Sequence, residues 1–112
     1  MAAWVEAWNE GDPEVRRERL ASAVGADCVF VGPTGTATGR DALHAAIAEA
    51  REFLPGATVV RDGPVREEGG ELRFSWEVRS ADGGRVLAGV DRIEMDGTGR
   101  LRRVVVLPAT SA

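Results

Sequence analysis

The segment GRDALHAAIAEAREFLPG, residues 39–56, decides the fold. Leu43, Ile47, Ala50 and Leu54 recur at the interval of one helical face, so the spacing predicts a helix from Arg40 to Leu54 with a buried stripe. Pro55-Gly56 stops it, because proline cannot donate the backbone hydrogen bond that would continue the helix. From Ala57 onward the period changes to two. Thr58 to Arg61 and Val65 to Glu68 form one strand, irregular around Asp62-Gly63-Pro64. In Leu72 to Ser80, Leu72, Phe74, Trp76 and Val78 face one way, while Arg73, Ser75, Glu77 and Arg79 face the other. Asp82-Gly83-Gly84 signals a hairpin, Arg85 to Met95 is the next strand, Asp96-Gly97-Thr98-Gly99 the next turn, and Leu101 to Leu107 the last strand.

Upstream of residue 39, Ala2 to Glu10 reads as a short helix with Trp4, Val5 and Trp8 on one side, ended by Gly11. Two turns are marginal without packing, and we expect the start to be truncated relative to related proteins. Asp12-Pro13 opens a second helix, running to about Val24: aspartate accepts the orphan amides of the first turn, and proline lacks the N–H that would go unpaired there. Asp27 to Val31 is a short strand, turned by Gly32-Pro33-Thr34-Gly35. Helices thus come first and an antiparallel meander second, with the third helix wedged after the first strand. That order predicts an α+β domain over residues 1–112, in which three helices cover one face of a curved, mainly antiparallel sheet.

Composition narrows the function classes. A chain of 112 residues suits one domain and can bury roughly two-thirds of its unfolded surface, enough for a core without staples. One Cys and one His cannot build a zinc site, and the lone Cys28 cannot form an internal disulfide, which fits a reducing, cytoplasmic compartment. We expect neither a signal peptide nor a membrane span: no basic cluster precedes the short apolar start, and no run approaches the roughly 20 apolar residues a span requires. Net charge is −4 and all cations are arginine; Arg16, Arg17 and Arg19 are interleaved with Glu14 and Glu18 rather than pooled, so we expect no nucleic-acid face.

Taken together, Ala7-Trp8-Asn9-Glu10-Gly11-Asp12, Val29-Phe30-Val31-Gly32-Pro33, Thr38-Gly39-Arg40-Asp41-Ala42-Leu43, Phe74-Ser75-Trp76, Gly89-Val90-Asp91 and Gly99-Arg100-Leu101 resemble, in this order, the motifs of SnoaL-like proteins in the nuclear transport factor 2-like superfamily. The resemblance spans essentially the whole chain and implies a cone: a bent sheet wrapped around helices, with a cavity at the wide end. Members include ketosteroid isomerase-like, polyketide cyclase-like and epoxide hydrolase-like enzymes as well as binding and dimerisation modules, so the fold alone does not fix the function.

Carried over residue by residue, the isomerase pattern finds one of its three groups. Its base position falls on Gly32, its tyrosine position on Trp4 in a chain without tyrosine, and its second aspartate on Asp91. Asp91 shares strand parity with Leu87, Gly89, Ile93 and Met95. An acid on an apolar face must pair with an arginine, accept several hydrogen bonds, or become protonated with a pKa above its reference of about 3.9. It is the candidate catalytic or pocket-lining acid; the plainer alternative is a core carboxylate that accepts from a tryptophan indole or a backbone amide. The Asp–Arg–Asp cluster of the hydrolase-like members is not matched, because Arg73 and Arg79 have outward parity and no second inner acid is evident. His44 lies at the edge of the Leu43/Ile47 stripe, beside Arg51, and reads as a boundary residue. Cys28 reads as a buried thiol.

All six aromatic residues, Trp4, Trp8, Phe30, Phe53, Phe74 and Trp76, fall on stripes expected to face inward. Core packing explains them, and so does the lining of an apolar cavity. Two functions follow as expectations. One is a domain that binds a small apolar molecule, without a cofactor, possessing isomerase- or cyclase-type chemistry on a planar substrate at most. The other is a non-catalytic homodimerising module with a filled or vestigial pocket, pairing through an outer sheet face expected to hold Val86, Val90, Val104 and Val106.

Overall fold

The computed structural model describes residues 1–33 and 35–108. Its elements run α1 (Ala2–Asn9), α2 (Pro13–Ala23), β1 (Val24–Gly32), β2 (Gly35–Thr38), α3 (Arg40–Phe53), β3 (Thr58–Glu68), β4 (Glu71–Arg79), β5 (Arg85–Met95) and β6 (Leu101–Pro108). The strands form one open sheet in the order β2-β1-β6-β5-β4-β3. All neighbours are antiparallel except β1 and β6, which run parallel, with Phe30 opposite Val104.

The expected α+β cone is present. Trp4, Ala7, Leu20, Leu43 and Ile47 of the helices share one buried cluster with Phe30, Phe74, Ile93, Leu101 and Val104 of the sheet. Helix α2 starts as its sequence dictates: Asp12 Oδ1 accepts from the amides of Glu14 (2.9 Å) and Val15 (3.3 Å). Its last carbonyls are met from afar. Arg40 donates through Nε and Nη2 to Val24 O, and Nη2 also reaches Ala21 O at 3.3 Å; Arg100 Nε donates to Ala21 O at 3.0 Å. Gly39, at φ +88°, makes the left-handed step that brings Arg40 there, so the Gly-Arg pair before α3 is an anchor.

Three details differ from the sequence reading. β1 begins at Val24, directly after α2, and the residues taken only as a turn continue into β2; position 34 of that turn lies outside the described residues. Arg16, read only as one of the cations interleaved with Glu14 and Glu18, is buried at 4% exposure and donates through Nε and Nη2 to Glu10 O, closing the end of α1. The parity assigned to β6 is reversed. Glu94 pairs with Arg103 and Met95 with Leu101, so Arg102 is an extra residue, and the slip carries Val104 and Val106 to the inner face opposite Ile93 and Asp91. The outer face therefore holds Val29, Val31, Val105 and Leu107 beside the expected Val90, between Arg73, Arg92 and Arg103, whereas Val104 and Val106, expected there, lie inside.

On the far edge, β3 takes four residue steps from Asp62 to Arg66 while β4 takes two, so the strand bends at Gly63-Pro64. Asn9 ties this strand to α1: its Nδ2 donates to Val59 O at 2.8 Å, and its Oδ1 accepts from Val59 N at 2.7 Å. The side-chain amide thus acts as a one-residue strand partner and holds the open end of the sheet against the helices.

Candidate functional site

Between the concave sheet face and helices α1 and α3 lies a cavity of about 730 Å³. The six aromatic residues and Asp91 singled out in the sequence line it: Trp4, Trp8, Phe30, Phe53, Phe74, Trp76 and Asp91. Val5, Gly32, Val59, Val78, Leu87 and Val106 complete most of the apolar wall, while Glu49, Arg51 and Glu52 of α3 stand among the lining groups.

Asp91 is 5% exposed, and each of its oxygens has one partner. Trp4 Nε1 donates to Oδ2 at 3.0 Å, and Trp76 Nε1 donates to Oδ1 at 2.8 Å. Of the ways open to an inward acid, the chain thus uses the second, hydrogen bonds from neutral donors. Burial pushes the carboxyl above its usual range, and the Trp4 and Trp76 donors pull the other way.

The indole of Trp76 reaches Asp91 because residue 89 has no side chain. A Cβ at Gly89 would lie 2.9 Å from Trp76 Cε2 and 2.9 Å from Leu107 O, and closer still to Trp76 Cζ2. The Gly-Val-Asp sequence of β5 is therefore a device in which the glycine clears the path of the indole to the acid. On the opposite wall Trp4, Trp8 and Phe30 pack as a triad, with ring centroids 5.7 to 6.1 Å apart. Gly32 keeps Phe30 in place, since a Cβ there would meet Phe30 Cε1 at 2.9 Å. The position where isomerases carry their base is thus taken up by an aromatic wall.

Phe53 corrects one expectation. It lies on the cavity rim at 83% exposure instead of inside, because the last turn of α3 runs past the edge of the core. Cys28 belongs to the buried cluster and not to the cavity lining; burial, with the Asp96 carboxylate adding, pushes its thiol up to about 11, which leaves it unreactive at neutral pH. His44 Nε2 lies 3.2 Å from Pro13 O, an atom that can only accept, so the ring donates there and joins α3 to the start of α2. Arg79 lies beside Glu77 (2.7 Å) and Arg73 beside Glu68 (3.2 Å), away from Asp91, so among the described residues no Asp–Arg–Asp arrangement forms around it.

The sequence reading missed two residues. Arg51 Nη1 donates to Trp8 O at 3.0 Å, fixing the backbone that carries Trp8. Asn9 anchors β3 beside the same mouth. Asn9 was visible as part of the closing turn of α1, but its partner fifty residues away was not. Among the described residues no cluster of three or more His, Cys, Asp or Glu side chains could hold a metal ion, and no helix is long and apolar enough to cross a membrane.

None of the curated proteins matches the chain. Among solved structures, it is similar to a proposed isomerase of the SnoaL-like family from Agrobacterium tumefaciens strain C58, at 32% identity over 97% of this chain and 93% of that one, with a TM-score of 0.91. A nuclear transport factor 2-like protein of unknown function from Exiguobacterium sp. 255-15 shares 20% identity over 98% of both chains, with a TM-score of 0.78. A proposed SnoaL-like polyketide cyclase from Jannaschia sp. CCS1 shares 14% identity over 95% of this chain and 82% of that one, with a TM-score of 0.72. These last two likenesses speak for the fold alone. The model of the SnoaL-like domain matches residues 1–104, and the chain belongs to that family.

Proposed function

We propose that the protein binds a planar, largely apolar small molecule in the cone and that Asp91 is the polar contact that orients it. The observation that carries this reading is a single acid set on two indole donors at the wall of an apolar cavity of about 730 Å³. Such cavities gain affinity from burial of apolar area and orientation from few polar groups. The same acid can support isomerase- or cyclase-type chemistry. Burial makes the carboxylate a stronger proton acceptor, the two indoles fix its direction, and the surrounding wall keeps bulk water from competing. The reaction class of the Agrobacterium relative supports that extension.

The test is intrinsic tryptophan fluorescence titrated with planar polycyclic ketones and phenols, on the wild type and Asp91→Asn. Trp4, Trp8 and Trp76 all line the cavity, so an occupant should quench saturably, and more weakly in the variant. Absence of any saturable response would defeat the reading.

A second reading, homodimerisation through the outer sheet face, is favoured by the apolar band Val29, Val31, Val90, Val105 and Leu107, of which Leu107 is 39% exposed. Sedimentation at micromolar concentration distinguishes it: a monomer there removes it.

A further inference from the structure

We infer that the cavity is built for a cation, an organic ammonium carried on an apolar ring, with its charge set toward Asp91 and its body against Trp4, Trp8, Phe30 and Trp76. This rests on the reading of the cavity as a binding site and narrows its ligand class. The two partners of Asp91 are neutral indoles, and no arginine or histidine among the described residues bonds to it. The carboxylate is thus held rigidly, while its charge goes unbalanced in an apolar wall. A buried charge of that kind is costly until an opposite charge arrives. Each oxygen spends one acceptor site on an indole and keeps another for a ligand.

The rest of the lining points the same way. Asp91, Glu49 and Glu52 stand against Arg51 alone, and Arg51 already donates to Trp8 O. An anionic ligand would meet repulsion at the acid, whereas a neutral ligand would leave its charge as it stands. Trp4, Trp8 and Phe30 line the cavity together, packed edge-on and tilted against one another, and the faces of such rings attract cations, quaternary ammonium groups among them. An acid and an aromatic wall in one apolar cavity form a receptor for an ammonium group.

The experiment compares benzyltrimethylammonium with neopentylbenzene, its uncharged isostere with carbon in place of nitrogen, by tryptophan fluorescence. We expect the wild type to bind the ammonium at least about ten-fold more tightly. Asp91→Asn should lose most of that preference while its affinity for the isostere holds or rises. Equal binding, or tighter binding of the isostere, overturns the inference and leaves the binding site standing. A preference that persists undiminished in Asp91→Asn overturns the assignment to this acid. Binding of neither probe overturns the inference, while the binding site itself stands or falls by the titration with polycyclic ketones and phenols. Should Asp91→Asn fail to fold, the wild-type comparison decides alone.

Discussion

Replacing Gly89 with alanine tests the link between the bare backbone of β5 and the acid two residues on. The added methyl would stand 2.9 Å from both Trp76 Cε2 and Leu107 O, and nearer still to Trp76 Cζ2, so the indole must leave its place. Its hydrogen bond to Asp91 Oδ1, 2.8 Å long, goes with it. A lost bond to a charged group costs about 1.5–3 kcal/mol. Overpacking of the strand adds about 1–3 kcal/mol. Gly89→Ala should therefore destabilise the protein by about 2.5–6 kcal/mol, a large share of the roughly 5–15 kcal/mol typical of a domain. Trp76→Phe alone should cost about 1.5–3 kcal/mol, because the donor disappears. In that background the methyl enters space the larger ring has vacated, and its cost should fall by at least about 1 kcal/mol. Urea unfolding followed by circular dichroism gives all four corners of the cycle. Costs that add to within about 0.5 kcal/mol would refute the idea that Gly89 acts through Trp76.

Three further outcomes follow from the same geometry. Asp91 has its folded pKa raised by burial, so the folded state holds its proton more readily than the unfolded state between the two values; stability from this group is greatest below the unfolded value and is lost as pH rises through the folded one. Relative to Asp91→Asn, the wild type should thus gain stability as pH falls from 7 toward 4, and urea midpoints moving the other way would mean that the indoles outweigh burial. Asn9→Ala should cost about 1–2 kcal/mol and speed amide exchange at Val59, whose N–H loses its acceptor, with unchanged exchange there counting against the tether. Phe53→Ala should change the unfolding free energy by no more than about 0.5 kcal/mol, since the ring is 83% exposed, and a core-sized loss would contradict its place on the rim.

What could be read from the residues follows the range of the forces involved. The β4 alternation and the α3 stripe are local, and Phe74, Val78, Leu43 and Ile47 are buried as their periods require. Asp91 was visible as an acid on an apolar face, and an indole donor was among its expected partners. That Trp4 supplies one of the two, 87 residues away, depends on the closure of the cone, which no local pattern encodes. The β6 half of the outer face departs from expectation for a related reason: one extra residue, Arg102, inverts the parity of the rest of β6, and alternation counted from Leu101 cannot detect it. β2 escaped notice because Gly35–Thr38 is four small or polar residues with no apolar alternation. Phe53 has helical phase with its stripe but lies beyond the sheet it would need to cover.

The parallel pairing of β1 with β6 also sets an order of events during synthesis. The three helices and β1 leave the ribosome well before Leu101–Pro108, yet the core cluster that buries Trp4, Leu43 and Ile47 includes Leu101 and Val104. Until that last strand slots in between β1 and β5, the nascent helices have an incomplete roof, and the sheet cannot join its two halves. Contacts so distant along the chain form late and slowly, after the entropy of a long loop has been lost. The newborn polypeptide therefore passes through an interval with its apolar stripes uncovered, when a holdase chaperone has most to offer it.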